Sequence, residues 1–250
     1  MKALILAAGY ATRLYPLTRE YPKSLLEVRG KPILGYIIDK LEAIDEVNEV
    51  IIVTNDKFLA KFRQWKNKSR LKKKLTLVND LTRTNSARLG AIGDVDFVIR
   101  KKRIREDLLV IGGDNLFSGP LTGFLKFARG KKHAAAIGLY KLKDLKDASR
   151  YGVVRLDRRK RVVNFAEKPR HPQSRLVAMC LYFIPQERLG LIEDYMRVRK
   201  KADATGNYID WLKDRVDTYG FVFRGCWFDI GDFKYLTAAK NNFAHYREET

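Results

Sequence analysis

Near the N-terminus an unbroken apolar run, Ala3-Leu4-Ile5-Leu6-Ala7-Ala8, leads into Gly9-Tyr10-Ala11-Thr12-Arg13-Leu14 and then Pro16, Thr18, Pro22 and Lys23. A run without polar alternation suits a strand buried on both faces, the kind that parallel sheets use. It ends in small residues, a hydroxyl and a guanidinium, and an ammonium follows ten residues after Arg13. Small residues let backbone N–H groups approach anionic oxygens, while Arg and Lys neutralise charge that a backbone cannot. The stretch predicts a polyphosphate-binding turn at the end of the first strand.

The first half of the chain alternates strand and helix signals. Strands are predicted at 3–7, 50–54, 75–78 and 108–111, and helices at 32–44, 57–66 and 86–100. In the first helix Ile33, Tyr36, Ile37, Leu41 and Ile44 fall at helical spacing, and in the second Phe58, Phe62 and Trp65 are expected to point inward. The second half reads differently, with strands at 134–140, 151–156, 162–167, 175–184 and 219–224 and helices at 186–199, 208–217 and 233–245. The βαβ rhythm implies a mostly parallel sheet covered by helices on both faces. The expected fold is α/β: a single-domain three-layer sandwich with a Rossmann-like, mostly parallel mixed central sheet and an antiparallel insertion.

Hydrophobic residues make up 46% of the 250, enough for a substantial core, and no apolar stretch reaches the roughly 20 residues of a membrane helix. Lys2 and the apolar run after it mimic a signal peptide, but the run continues into a charged turn rather than a cleavage site. Cys180 and Cys226 are expected to be buried, reduced thiols, and His133, His171 and His245 lack ligand spacing for zinc. These features point to a soluble cytoplasmic protein without a membrane partner. The formal charge is +21, with basic runs at 66–74, 100–105, 155–161 and 197–201. Three readings of that charge stand: solvated faces, steering of anionic substrates, or a polyanionic partner.

In open parallel sheets ligands gather at the carboxyl ends of strands. Asp114, in Gly112-Gly113-Asp114-Asn115, follows the fourth predicted strand, and Asp229 lies in Trp227-Phe228-Asp229-Ile230-Gly231. Two such carboxylates suit Mg²⁺, which takes its other ligands from phosphates and water. Each also has a plain structural use, Asp114 capping a turn and Asp229 preceding a helix.

In combination these segments resemble the sugar-phosphate nucleotidyltransferase family. The family's Gly-x-Gly-Thr-Arg-Leu-x-Pro-x-Thr turn and Pro-Lys pair match Gly9–Thr18 and Pro22-Lys23, with Ala11 in place of the second glycine. Gly113-Asp114, Glu167-Lys168-Pro169 and Trp227–Gly231 match its remaining motifs in order. The resemblance implies a nucleoside triphosphate held by Ala8, Gly9, Ala11, Thr12, Arg13 and Lys23, with Asn79, Asn85 and Gly90 near the base. It implies a sugar-1-phosphate held by Gly152, Glu167 and Lys168, and Mg²⁺ on Asp114 and Asp229. Arg13, Lys23 and Asp114 would be catalytic, with in-line attack on the α-phosphate releasing pyrophosphate and forming an NDP-sugar. Residues 1–130 would bind the nucleotide, 131–231 the sugar phosphate, and 232–250 would form a C-terminal helix of one catalytic domain. Longer members carry a β-helix beyond this domain, so the resemblance implies a stand-alone catalytic domain, and a homo-oligomer is compatible with it. The runner-up is a cytidylyltransferase for phosphocholine or another non-sugar phosphate. Less favoured is a nucleic-acid-binding or inactive regulatory protein using the basic surface.

Overall fold

A computed structural model describes residues 1–199 and 204–243. Residues 200–201 of the last basic run, and 244–250 of the expected C-terminal helix with His245, lie outside the described residues. In chain order the strands are β1 (Lys2–Leu6), β2 (Glu27–Val28), β3 (Lys31–Pro32), β4 (Glu49–Thr54), β5 (Lys74–Asn79), β6 (Leu108–Gly112), β7 (Asn115–Phe117), β8 (Ala135–Lys141), β9 (Gly152–Leu156), β10 (Val162–Glu167), β11 (Leu176–Ile184), β12 (Thr218–Phe223) and β13 (Trp227–Asp229). The helices are α1 (Ile33–Glu42), α2 (Leu59–Lys68), α3 (Ala91–Lys102), α4 (Leu121–Arg129), α5 (Gly190–Val198), α6 (Thr205–Lys213) and α7 (Phe233–Asn242). The chain is α/β and divides into two compact units. The first takes Met1–Arg88, Ile111–Leu121 and 225–243, the second Leu89–Val110 and the described part of Thr122–Arg224.

In the first unit β1 pairs in parallel with β4, from Lys2↔Glu49 to Leu6↔Val53, and β4 with β5, from Glu49↔Lys74 to Thr54↔Asn79. Ala3, Leu4, Ile5 and Ile51 to Val53 are fully buried, as unbroken apolar runs demand of central parallel strands. On α1 the side chains of Ile33, Leu34, Ile37, Ile38 and Leu41 form the inner face. Tyr36 is only half-buried because its hydroxyl reaches out to donate to Val28 O at 2.7 Å. Trp65 on α2, expected inward, is half-buried, while Phe58 and Phe62 are in the core.

A separate apolar cluster joins Leu14, Val28, Ile33, Leu116, Ile230, Leu236 and Ala239, with Phe228 and Phe243 packed against it. Its members come from the first turn, from β2, from the start of α1, from β7, from the segment after β13 and from α7. Close by, the short ladder of β13 on β7 sets Asp229 opposite Asn115 and Trp227 opposite Phe117.

In the second unit β11 is antiparallel to β8 and β9, β9 to β10, and β12 runs parallel to β8. This matches the different rhythm of the second half. The helix expected at 86–100 begins at Ala91 instead, because Gly90 stands at φ +81°, outside helical backbone, and Thr84 caps a separate 3₁₀ turn over Asn85–Ala87. The helix expected at 186–199 splits into a 3₁₀ turn at Gln186–Arg188 and α5, and that expected at 208–217 lies one turn earlier as α6. Helix α4 was not foreseen in the sequence. Cys226 is buried and Cys180 half-buried at φ +52°, where a bulge shifts the register of β11; neither is joined in a disulfide.

Replacing Leu14 with Ala should open a cavity in the cluster under the first turn. The expected loss is about 2–5 kcal/mol in urea unfolding, and a loss below about 1 kcal/mol would show that the cluster does not anchor the turn.

Candidate active site

The predicted polyphosphate turn is held from behind by its carbonyl groups. The buried Asn55, just beyond β4, donates Nδ2 to Ala8 O at 2.8 Å and accepts from Phe58 N at 3.0 Å. Thr18, fully buried, donates Oγ1 to Ala11 O at 2.8 Å. Leu14 N donates to the same carbonyl at 3.0 Å. With the oxygens engaged, the backbone N–H groups of residues 8–13 donate to no acceptor among the described residues. A succession of such donors beside small side chains is a cradle for an anion. Nothing lies within 4 Å of where a Cβ on Gly9 would stand.

Ala11, in the place of the family's glycine, adopts φ +48°, ψ +42°. Ala11 thus takes left-handed backbone without being a glycine, at a cost of about 1–2 kcal/mol. The Thr18 hydroxyl on its carbonyl is one of the contacts that hold it there.

Arg13 and Thr12 are exposed, and the Arg13 guanidinium lies beside Gly231, 3.5 Å from where a Cβ there would be. A side chain at that position would press on the guanidinium. Gly113 is tighter still: a Cβ would fall 2.7 Å from Leu6 O, whose oxygen already accepts from Gly113 N at 2.9 Å. Only glycine lets the segment after β6 lie this close to the end of β1. The next residue, Asp114, meets Lys23 Nζ at 2.6 Å, both side chains partly exposed. Its carbonyl accepts from Ile230 N at 3.1 Å, which ties Asp114 to the segment carrying Asp229. Asn115, buried, accepts from Trp227 Nε1 at 2.7 Å and so locks β13 to β7.

Arg13, Lys23, Asp114 and Asp229, scattered over more than two hundred residues, are therefore bound into one framework of the first unit. Two carboxylates on neighbouring segments are the donor set of a hard divalent cation that completes its shell with phosphate and water. No group of three or more His, Cys, Asp or Glu side chains that could hold a metal occurs among the described residues.

The residues expected near the base are placed less favourably. Asn79 donates Nδ2 to Asp56 at 2.7 Å and accepts from Leu81 N at 2.8 Å, so its amide serves the loop. Arg83 joins Asp56 from the other side at 3.0 Å, and these bonds hold the Asp56 carboxyl below its ordinary range. Asn85 is exposed in its 3₁₀ turn, and Gly90 belongs to the second unit, where it starts α3.

In the second unit the register sets Gly152 opposite Glu167. A Cβ on Gly152 would collide with the Phe165 ring and come within 3.2 Å of Glu167 Oε2. Gly206, in the first turn of α6, is in the same position: a Cβ there would overlap Glu167 Oε2. Two glycines thus make room for one carboxylate. Burial pushes the Glu167 carboxyl up, and the Lys168 ammonium 3.7 Å away draws it partly back. Lys168 stands at φ +46°, its N–H on Tyr151 O at 3.0 Å and its side chain largely exposed. Tyr182 donates to Thr205 Oγ1 at 2.7 Å near the same helix start, and burial raises its hydroxyl well above the ordinary range.

Asn55, Asn115 and Gly206 were not singled out in the sequence. The first two follow strand ends and were legible as such; Gly206 carried no local signal.

The family profile described as Nucleotidyl transferase matches residues 2–245. "Bifunctional protein GlmU" of Methanocaldococcus jannaschii is 31% identical over 232 residues, covering 92% of this chain and 51% of that protein. "Glucose-1-phosphate thymidylyltransferase" of Streptomyces antibioticus is 30% identical over 241 residues, covering 93% of this chain and 63% of that one. The chain thus spans about half to two thirds of the length of these curated relatives. A solved UDP-glucose pyrophosphorylase complexed with UDP-glucose shares the fold, with a TM-score of 0.83 at 19% identity over 98% of this chain and 99% of that one. With the profile covering nearly every residue and its motifs converging as described, the chain belongs to the nucleotidyl transferase family.

Proposed function

We propose that the chain transfers a nucleotidyl group from a nucleoside triphosphate to a sugar-1-phosphate, releasing pyrophosphate and forming an NDP-sugar. The observation that carries this reading is the framework of Arg13, Lys23, Asp114 and Asp229 around a turn whose N–H groups have no acceptor among the described residues. The amides of residues 8–13 and the Arg13 guanidinium receive the β- and γ-phosphates. Lys23 exchanges Asp114 for the α-phosphate, where its charge stabilises the transition state. Asp114 and Asp229 are the residues that would hold Mg²⁺, which when bound draws charge from the phosphate oxygens. Glu167 accepts hydrogen bonds from sugar hydroxyls, Gly152 serves by leaving room for that carboxylate rather than by opening the backbone to the sugar, and Lys168 pairs with the sugar phosphate. An ionised phosphate monoester needs no general base, so the work is positioning and electrostatics.

Among the described residues no helix is long and apolar enough to cross a membrane. Cys180 and Cys226, neither in a disulfide, accord with a cytoplasmic setting.

Pyrophosphate release should require a triphosphate, Mg²⁺ and a hexose-1-phosphate together. A panel of triphosphates against hexose-1-phosphates, phosphocholine and alditol phosphates reads base and acceptor at once, and no turnover across it from folded protein would sink the proposal. Asp114→Asn should lower kcat by roughly 10²–10³-fold with a circular dichroism spectrum like the parent's, because the amide oxygen of Asn can still accept from the partly exposed Lys23. Retained kcat would remove Asp114 from the mechanism.

Glu167 gives a pH test. Its native pKa lies above the ordinary value, so the native state holds the proton more tightly and stability falls as pH rises from the ordinary carboxylate range through the raised value. Lys168→Ala removes the cation that lowers it, so the acid limb of sugar-phosphate affinity should move to higher pH. Glu167→Gln should raise the sugar-phosphate KM roughly tenfold or more with Tm unchanged or higher. A KM at the parent value would show that Glu167 does not touch the sugar.

A further inference from the structure

The second unit contains a cavity of about 590 Å³ that plays no part in the proposed reaction. It lies between the end of α4, the start of β8 and the segment leading into β12, and is lined by Lys131, Lys132, His133, Arg188, Arg215, Asp217 and Tyr219 among others. Four permanent cations face one carboxylate. That carboxylate, Asp217, is already approached by Arg161 Nη1 at 3.5 Å, and His133 is turned to Glu187 at 3.1 Å.

None of the four cations makes a salt bridge among the described residues, although the neighbouring Glu187 carboxyl, held below its ordinary range first by its own backbone N–H, also feels the Arg188 charge. Arg188, Arg215 and Lys131 are held instead by neutral groups. Arg188 Nε donates to His133 O at 2.9 Å, and Arg215 donates to Trp211 O at 3.0 Å with its guanidinium 3.9 Å over the Trp211 ring. Lys131 Nζ sits 4.6 Å above the Tyr219 ring. Both Lys131 and Lys160 lie 5.5 Å over the Phe127 ring, which brings the basic turn between β9 and β10 alongside. In a chain with many surface ion pairs, cations gathered from four segments and braced by carbonyls and rings leave their N–H groups to an external anion.

We infer that this cavity binds a compact polyphosphate, either inorganic or the phosphate chain of a nucleotide, at a site separate from catalysis. Convergent charge in a cavity suits a small multivalent anion. A single-stranded nucleic acid would need bare aromatic faces for its bases, and here the Tyr219 and Trp211 rings are covered by the chain's own cations.

Isothermal titration of the full chain with sodium tripolyphosphate, without divalent cation and at physiological salt, tests the site. The Lys131→Gln/Lys132→Gln chain should lose one bound equivalent relative to the parent, or bind it roughly tenfold more weakly or worse. Its nucleotidyl transfer should be unchanged. Arg13→Gln, which addresses only the turn after β1, should keep that equivalent. The inference fails if the Lys131→Gln/Lys132→Gln chain binds like the parent, or if the parent binds nothing beyond what Arg13→Gln removes. It also fails if a single-stranded oligonucleotide displaces tripolyphosphate at equal phosphate concentration, which would assign the surface to nucleic acid. An adventitious, salt-sensitive association without defined stoichiometry overturns it as well.

Discussion

Leu14, Leu116 and Ile230 meet in one buried cluster, and each is the near neighbour of a charged group that the chemistry needs. Leu14 follows Arg13, Leu116 is two residues past Asp114, and Ile230 follows Asp229. Burying such side chains contributes about 1.5–3 kcal/mol each, enough to hold three loops that have little regular structure of their own. The polar groups then need only short reach. Ile230 N on Asp114 O and Trp227 Nε1 on Asn115 finish the alignment at 3.1 and 2.7 Å. Without the cluster, the like charges of Asp114 and Asp229 would favour separation.

The same economy governs the turn after β1. Asn55 and Thr18 take up carbonyl oxygens, which turns the amides of residues 8–13 away from internal partners. Thr18 explains a family position that motif spacing alone leaves as a mere polar residue. It helps Ala11 occupy left-handed backbone, which costs an alanine energy that a glycine would not spend. In the second unit the device is different. Gly152 and Gly206 withdraw side chains so that Glu167 can be pressed between a strand and a helix start, and burial then pushes its carboxyl up.

The α/β character, most strands and the four motifs were legible from the sequence because buried parallel strands leave unbroken apolar runs and phosphate sites need small and cationic residues at short spacing. Helix limits were less legible. Gly90 at φ +81° delays α3, and nothing in the apolar period of 208–217 announces that its helix starts at Thr205. The basic runs were ambiguous for a related reason. Charge in sequence does not reveal whether a cation meets a carboxylate, a ring or solvent. In those runs Lys101 rests on the Phe97 ring and Lys160 on that of Phe127.

By itself the sequence determined which residue types stand at the strand ends: the glycine-bearing turn with Arg13 and Lys23, Gly113-Asp114, Glu167-Lys168 and Asp229. Those are local, since backbone approach, charge and metal preference belong to single residues and their neighbours. Only the tertiary structure decided that Arg13 lies beside Gly231, that Lys23 reaches Asp114 at 2.6 Å and that Asn79 spends its amide on Asp56. Such pairings depend on a close backbone approach at Leu6 O that any Cβ on Gly113 would block, and on apolar side chains far apart in the chain meeting in one core, and neither has a signature in local spacing.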